Sequence, residues 1–99
     1  MNSRLREAGG IFTVHGPADA LSTVAASRAV GLQYEANPII RNLLGLGELP
    51  AVLGMCFCVA VAAAAWPTAA DSLEAPPAAA YACVAVGALV VLGNLVVAL

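Results

Sequence analysis

Asp19 and Thr23 stand four residues apart in the stretch PADALSTVAASRAVGLQYEANP, Pro17 to Pro38, which alone places ionisable side chains deep inside an otherwise apolar chain. On a helix that spacing stacks the two side chains one turn apart. A carboxylate beside a hydroxyl within a membrane is suited to relaying a proton or holding a cation. His15 and Ser22 join the same face if helical geometry continues through Pro17. The structural alternative is that Asp19, two residues after Pro17, sits at a helix N-terminus, where the dipole favours a carboxylate. From the sequence we prefer that alternative slightly. Further on, Glu35-Ala36-Asn37-Pro38 combines an acid, a cap and a helix stop. Glu35 and Asn37 can offer oxygens to a cation, but two ligands fall short of the six or more that calcium takes, and a turn alone accounts for both. Arg28 and Glu35 are expected to share another face and to pair or reach the headgroups.

The cysteines carry less chemistry. Cys56 and Cys58 flank Phe57, but near neighbours on a helix do not face each other, so a soft-metal pair needs Cys83 to converge from elsewhere. Packing is the better account. Gly54, Cys58 and Ala62 make one stripe of small residues, and Cys83 and Gly87 another, as close-packed membrane helices prefer. These stripes are expected to join the second and third helices to each other or to a neighbour. Asn94 is expected to supply an interhelical hydrogen bond worth about 1 kcal/mol. The chain has no nucleophile and base pair, phosphate loop or zinc-protease motif, and its single His15 makes no catalytic case. Neither a metal nor a cofactor is expected, and no enzymatic reaction is legible.

Composition says where such groups must reside. Of the 99 residues, 62% are hydrophobic and 10% charged, against roughly a quarter charged in soluble domains. That implies an integral membrane protein, multi-pass in the cell membrane, with the lipid bilayer as its first partner. Lysine is absent and the formal net charge is -2, which excludes a basic surface for nucleic acid.

The elements that must position the polar groups follow from punctuation. Arg4 and Arg6 precede an apolar region, yet His15, Pro17 and Asp19 break the run a secretory leader needs, so the segment is expected to be retained. Pro17 suits a first helical position and Asn37-Pro38 a stop, giving a helix over about 17–36. Such a helix is long enough to span, at about 30 Å. Its apolar residues, at about −0.3 to −0.6 kcal/mol each, barely offset Asp19 and Arg28 at about +2.5 to +3.5 each, so it needs neighbours to pack against. A short interfacial helix over about 38–44 follows, capped by Asn37. Uncharged runs at about 49–66 and 78–99 read as transmembrane helices, joined by the acidic, Pro-rich connection at 67–77. The expected fold is all-α: a small transmembrane bundle of three helices, the first polar, in a single membrane domain.

The pattern D-x3-T-x7-G-x3-E-A-N-P, carried by Asp19, Thr23, Gly31 and Glu35 to Pro38 and followed by Ile39-Ile40-Arg41-Asn42-Leu43-Leu44, resembles a family of small integral membrane proteins of unknown function found in haloarchaea and some bacteria. The likeness covers the first half, to Gly47. It implies a three- or four-helix membrane protein whose first helix carries Asp19, and it implies no activity. Relatives often place a lysine in the second helix, and this chain has none. The expected function is that of an accessory or structural subunit, in a homo-oligomer or with a membrane-protein partner. The alternative is a small oligomeric transporter or channel, ion- or proton-coupled through Asp19.

Overall fold

The computed structural model describes residues 2–99, and among them the protein is all-helical. Helix α1 (Ser3–Thr13) passes through a widened π turn (Val14–Ala18) into α2 (Asp19–Val30). Val14, Ala18 and Asp19 all keep right-handed helical dihedrals, so the three pieces form one rod. After the rod come α3 (Pro38–Leu46), α4 (Glu48–Ser72) and α5 (Pro77–Ala98). There are thus four rods, against an expected bundle of three that left the short 38–44 helix uncounted; that helix runs on to Leu46. Two of them, α4 and α5, are long and apolar enough to cross a membrane.

The first helix corrects the expected 17–36 boundaries at both ends. It starts at Ser3, where the Asn2 side chain accepts the Arg4 amide at 2.7 Å. Proline is a first-turn residue only when nothing helical precedes it. Here the π turn absorbs Pro17 instead, and the Asp19 amide reaches back five residues to the Val14 carbonyl. That shift removes Asp19 from a helix N-terminus and places it mid-rod. At the other end Gly31 adopts φ +104°, a conformation that L side chains rarely reach, and the rod stops there. Glu35 therefore leaves the face of Arg28, and the expected pairing of these two gives way to a bond between Arg28 and Glu48.

The other boundaries move for similar reasons. Asn37 caps α3, its Oδ1 accepting the Ile39 and Ile40 amides at 2.9 and 3.3 Å, and the helix runs on to Leu46 before Gly47 (φ +143°) turns the chain. Helix α4 carries Pro67 within it and ends at Ser72 rather than Trp66. Glu74, left-handed at φ 53°, then reverses the chain into α5.

The rod runs antiparallel to α4 and parallel to α5. Arg4 meets Asp71 at one end, Arg28 meets Glu48 at the other, and Asn94 lies beside Thr23. Both apolar helices pack along the rod and hardly touch each other away from their connection. The most polar helix is thus the central one. On α4 the inward residues are Ala51, Met55, Ala63 and Ala70, and on α5 Ala80 and Gly87. Their small size brings the backbones close, as in membrane bundles. Most other side chains of α4 and α5 face outward, among them Leu53, Phe57, Val61, Leu89 and Val96.

Candidate functional site

Glu7, Ile11, His15, Asp19 and Thr23 follow one another at intervals of four along the rod, which stacks them on one side of it. Each polar member finds a partner on α4 or α5, so the stripe reads as a sequence of contacts from one end of the bundle toward the other.

At the first end, Glu7 is buried and its Oε1 accepts from Arg4 Nη1 at 2.9 Å and from the Trp66 indole N–H at 3.2 Å. Arg4 also donates to Asp71 Oδ1 at 2.9 Å and to the Ala75 carbonyl at 2.8 Å. One guanidinium thus ties the start of the rod to the α4–α5 connection, using the fork of donors that arginine offers. In the middle, His15 Nε2 lies 2.8 Å from the Cys83 carbonyl oxygen, so that nitrogen carries the proton and donates. Gly87 makes room for this contact: a Cβ built there would stand 2.7 Å from His15 Nε2.

Asp19 is the convergence point of the next layer. Thr23 Oγ1 donates to Asp19 Oδ1 at 3.2 Å, and Ser22 Oγ donates to the Asp19 backbone carbonyl at 3.1 Å. From α5, Asn94 Nδ2 lies 3.1 Å from Ser22 Oγ, 3.2 Å from Thr23 Oγ1 and 3.4 Å from Asp19 Oδ1. An amide nitrogen has two protons to give, so the shorter bonds to the hydroxyls take them and the hydroxyls pass their own protons on toward Asp19. Thr23 donates to the carboxylate and Ser22 to the backbone carbonyl of the same residue. Its Oδ2 takes no hydrogen bond from the described residues, and because no buried side-chain polar atom among them lacks a partner, Oδ2 is accessible. One oxygen is hydrogen-bonded and the other is not.

Beside this cluster a cleft of about 590 Å³ opens between the ends of the rod and α5. Thr23, Ser27 and Asn94 supply its polar lining, Ala26, Val30 and Val97 its apolar walls, and Tyr34 and Glu35 follow Gly31 around it. No arginine or histidine among the described residues comes within ion-pairing distance of Asp19 or Glu35.

Of the residues expected from the sequence, Asp19 and Thr23 are together, and Glu35 lines the same cleft as Thr23. Asn37 does not join: its side chain is spent on the α3 cap, while Glu35 Oε1 accepts the Asn37 amide at 3.1 Å. Cys83 and Gly87 face the rod rather than α4. Gly54 is covered by Leu43 of α3, and Cys58 points outward. Of the two alternatives expected for the small-residue stripes, contact of α4 with α5 or with a neighbour, Cys83 and Gly87 meet a neighbour, the rod. The three cysteines are free, and no group of three metal-ligating side chains occurs among the described residues. The sequence reading missed Glu7 with Arg4 and Trp66. Their signal was the interval of four that runs from Glu7 to Thr23.

An all-helical bundle with two candidate membrane-crossing helices around a polar rod is the class this arrangement defines. No protein-family model, curated protein or solved structure matches the chain.

Proposed function

We propose that this is a multi-pass integral membrane protein in which the rod is a third span, and that it conducts or exchanges a proton or small cation through Asp19. The observation that carries this reading is the Asp19 carboxylate itself, whose Oδ1 accepts from Thr23, a hydroxyl that Asn94 in turn donates to, while its Oδ2 takes no hydrogen bond from the described residues. The membrane setting rests on exposure. In their most apolar windows only 17% of α4 and 11% of α5 is buried, whereas the core helix of a soluble protein is mostly covered, and contiguous apolar surface on this scale is a liability in water. Residues 3–30 reach about 42 Å as a helix, more than the about 30 Å of a hydrocarbon core. An ionisable residue at such a depth is a functional-site hypothesis by default.

The experiment is ion flux in proteoliposomes carrying a pH-sensitive dye, under an imposed proton, sodium or potassium gradient. Flux that Asp19→Asn abolishes while helicity is kept is the expected result. Flux unaltered by that substitution removes Asp19 from the mechanism. A second reading, an accessory subunit of a larger membrane assembly, draws on Cys58 and Ala62, small residues on α4 that face away from the rod. It predicts reproducible co-purification with larger proteins in mild detergent. Kinship with the haloarchaeal and bacterial small membrane proteins belongs to the same proposal, through Asp19, Thr23, Gly31 and the Glu35 to Pro38 turn.

A further inference from the structure

We infer that the cleft beside Asp19 is a binding site for an alkylammonium cation, a primary or quaternary amine bearing an apolar group. The inference deepens the reading of Asp19 as a cation-handling residue and rests on it for what binding is for, though not for the binding itself.

Size is the first argument. A cleft of about 590 Å³ lies within the roughly 300–1,000 Å³ typical of small-molecule sites. A bare metal ion needs instead a tight shell of six or more oxygens, and no group of three metal-ligating side chains is present among the described residues. Charge is the second. The Glu35 carboxylate lines the cleft, Asp19 stands behind its polar floor, and no basic side chain lines it. Of the two arginines nearest in sequence, Arg28 is engaged with Glu48, and Arg41, which does not line the cleft, donates to the backbone carbonyl of Glu35 at 3.5 Å rather than to its carboxylate. The one carboxylate residue in the lining is Glu35 and no cation lines it, so the cleft favours a cation over an anion.

The lining chooses among cations. Tyr34 offers an aromatic ring, whose face attracts ammonium groups within about 6 Å and is the common device for quaternary amines. Ala26, Val30 and Val97 offer apolar walls that a hydrated inorganic ion cannot use, while Thr23 and Ser27 offer hydroxyls to a primary amine. An ammonium group between Glu35 and Tyr34, with its hydrocarbon part along Val30 and Val97, uses every kind of surface present. Free amines and the headgroups of ammonium lipids share this chemistry.

The test is calorimetric titration of the whole chain in discs of phosphatidylglycerol, which contains no ammonium group. The probes are benzyltrimethylammonium, its neutral tert-butyl isostere and phenylpropionate. Binding of the cation alone is expected, weakened at least tenfold by Glu35→Gln and by Tyr34→Ala. Gln can still accept the Asn37 amide, so the turn survives the first substitution, and circular dichroism checks both. Equal heats for the cation and its neutral isostere, or binding untouched by both substitutions, overturn the inference. Phosphatidylethanolamine titrated into the discs separates the sources: competition assigns the site to a lipid headgroup, and its absence to a soluble amine. Because this readout needs no transport, ammonium binding with Asp19-independent flux sinks only the flux reading. Proton flux that requires Asp19, with no ammonium binding, sinks only this inference.

Discussion

Gly87→Ala adds one methyl group at the closest approach of the rod to α5, and its cost can be worked from the contacts. The new Cβ would stand 2.7 Å from His15 Nε2 and 2.9 Å from Cε1, and it would press on Val14 Cγ1. Neither neighbour yields easily. Val14 is β-branched and stiff at χ1, and the His15 ring is tied to the Cys83 carbonyl at 2.8 Å. Overpacking of this kind costs about 1–3 kcal/mol, and displacing the ring adds about 1 kcal/mol for the hydrogen bond. Against this, alanine in a helix interior gains about 1 kcal/mol over glycine. The net expectation is a loss of about 1–3 kcal/mol. Gly93, on the same helix, has nothing within 4 Å of its would-be Cβ, so Gly93→Ala is expected to be neutral or to stabilise by up to about 1 kcal/mol. Reversible unfolding in mixed detergent, followed by circular dichroism, reads both. Val14→Ala in the Gly87→Ala background should recover part of the loss, as residues in direct contact do in a double-mutant cycle. Equal stabilities for Gly87→Ala and Gly93→Ala would refute the packing of α5 on the rod.

Four further outcomes follow. With Cys56, Cys58 and Cys83 replaced by alanine, Ser3→Cys and Glu74→Cys should react with an impermeant maleimide from one face of sealed vesicles and Gln33→Cys from the other; labelling of Ser3→Cys and Gln33→Cys from the same face means the rod does not span. Asn94→Ala should cost about 0.6 kcal/mol, the average measured for interhelical hydrogen bonds in a membrane, and at most about 1.7, and no loss in the same detergent titration argues against the Asp19 cluster. Trp66→Phe deletes the donor to Glu7 Oε1 and should destabilise by about 1.5–3 kcal/mol, as for a bond to a charged group, with unchanged unfolding as the contrary result. Gly31→Ala forces a side chain into φ +104° and should cost about 1–3 kcal/mol of strain; an unaffected midpoint means the rod does not end there.

How much was legible in the sequence depended on whether punctuation or packing decided each feature. Asn37-Pro38 and the long uncharged runs are local signals, and the α3 cap, α4 and α5 follow from them. Pro17 is local too, but its meaning depends on what precedes it. Read as a start, it hid the helix from Ser3 to Thr13 and with it Glu7. Absorbed by a π turn, it leaves the interval of four from Glu7 through His15 and Asp19 to Thr23 on one rod. Pro67 misled in the same direction, since α4 continues past it to Ser72. The meeting of Asn94 with Ser22 and Thr23, and of Trp66 with Glu7, joins residues more than fifty positions apart. No periodicity within a single helix encodes such pairs.

The central position of the rod resolves an energetic difficulty that its composition raises. With Asp19 and Arg28 each costing about 2.5–3.5 kcal/mol at a bilayer centre, the segment has no net tendency to insert alone. The structure lowers that cost at each level: Arg28 reaches the end of the bundle and meets Glu48, Asp19 gains Thr23 and Asn94, and Glu7 gains Arg4 and Trp66. Because α4 and α5 hardly touch each other, both helices hold together chiefly through the rod, and on the proposed membrane reading the rod depends on them in turn. The dependence is mutual. No buried side-chain polar atom among the described residues is left without a partner. What stays accessible is the Asp19 Oδ2 oxygen and the cleft beside it. On the proposed membrane reading, Glu7, Asp19 and Arg28 each offset part of their cost through these partners, and Asp19 keeps one oxygen that takes no hydrogen bond from the described residues.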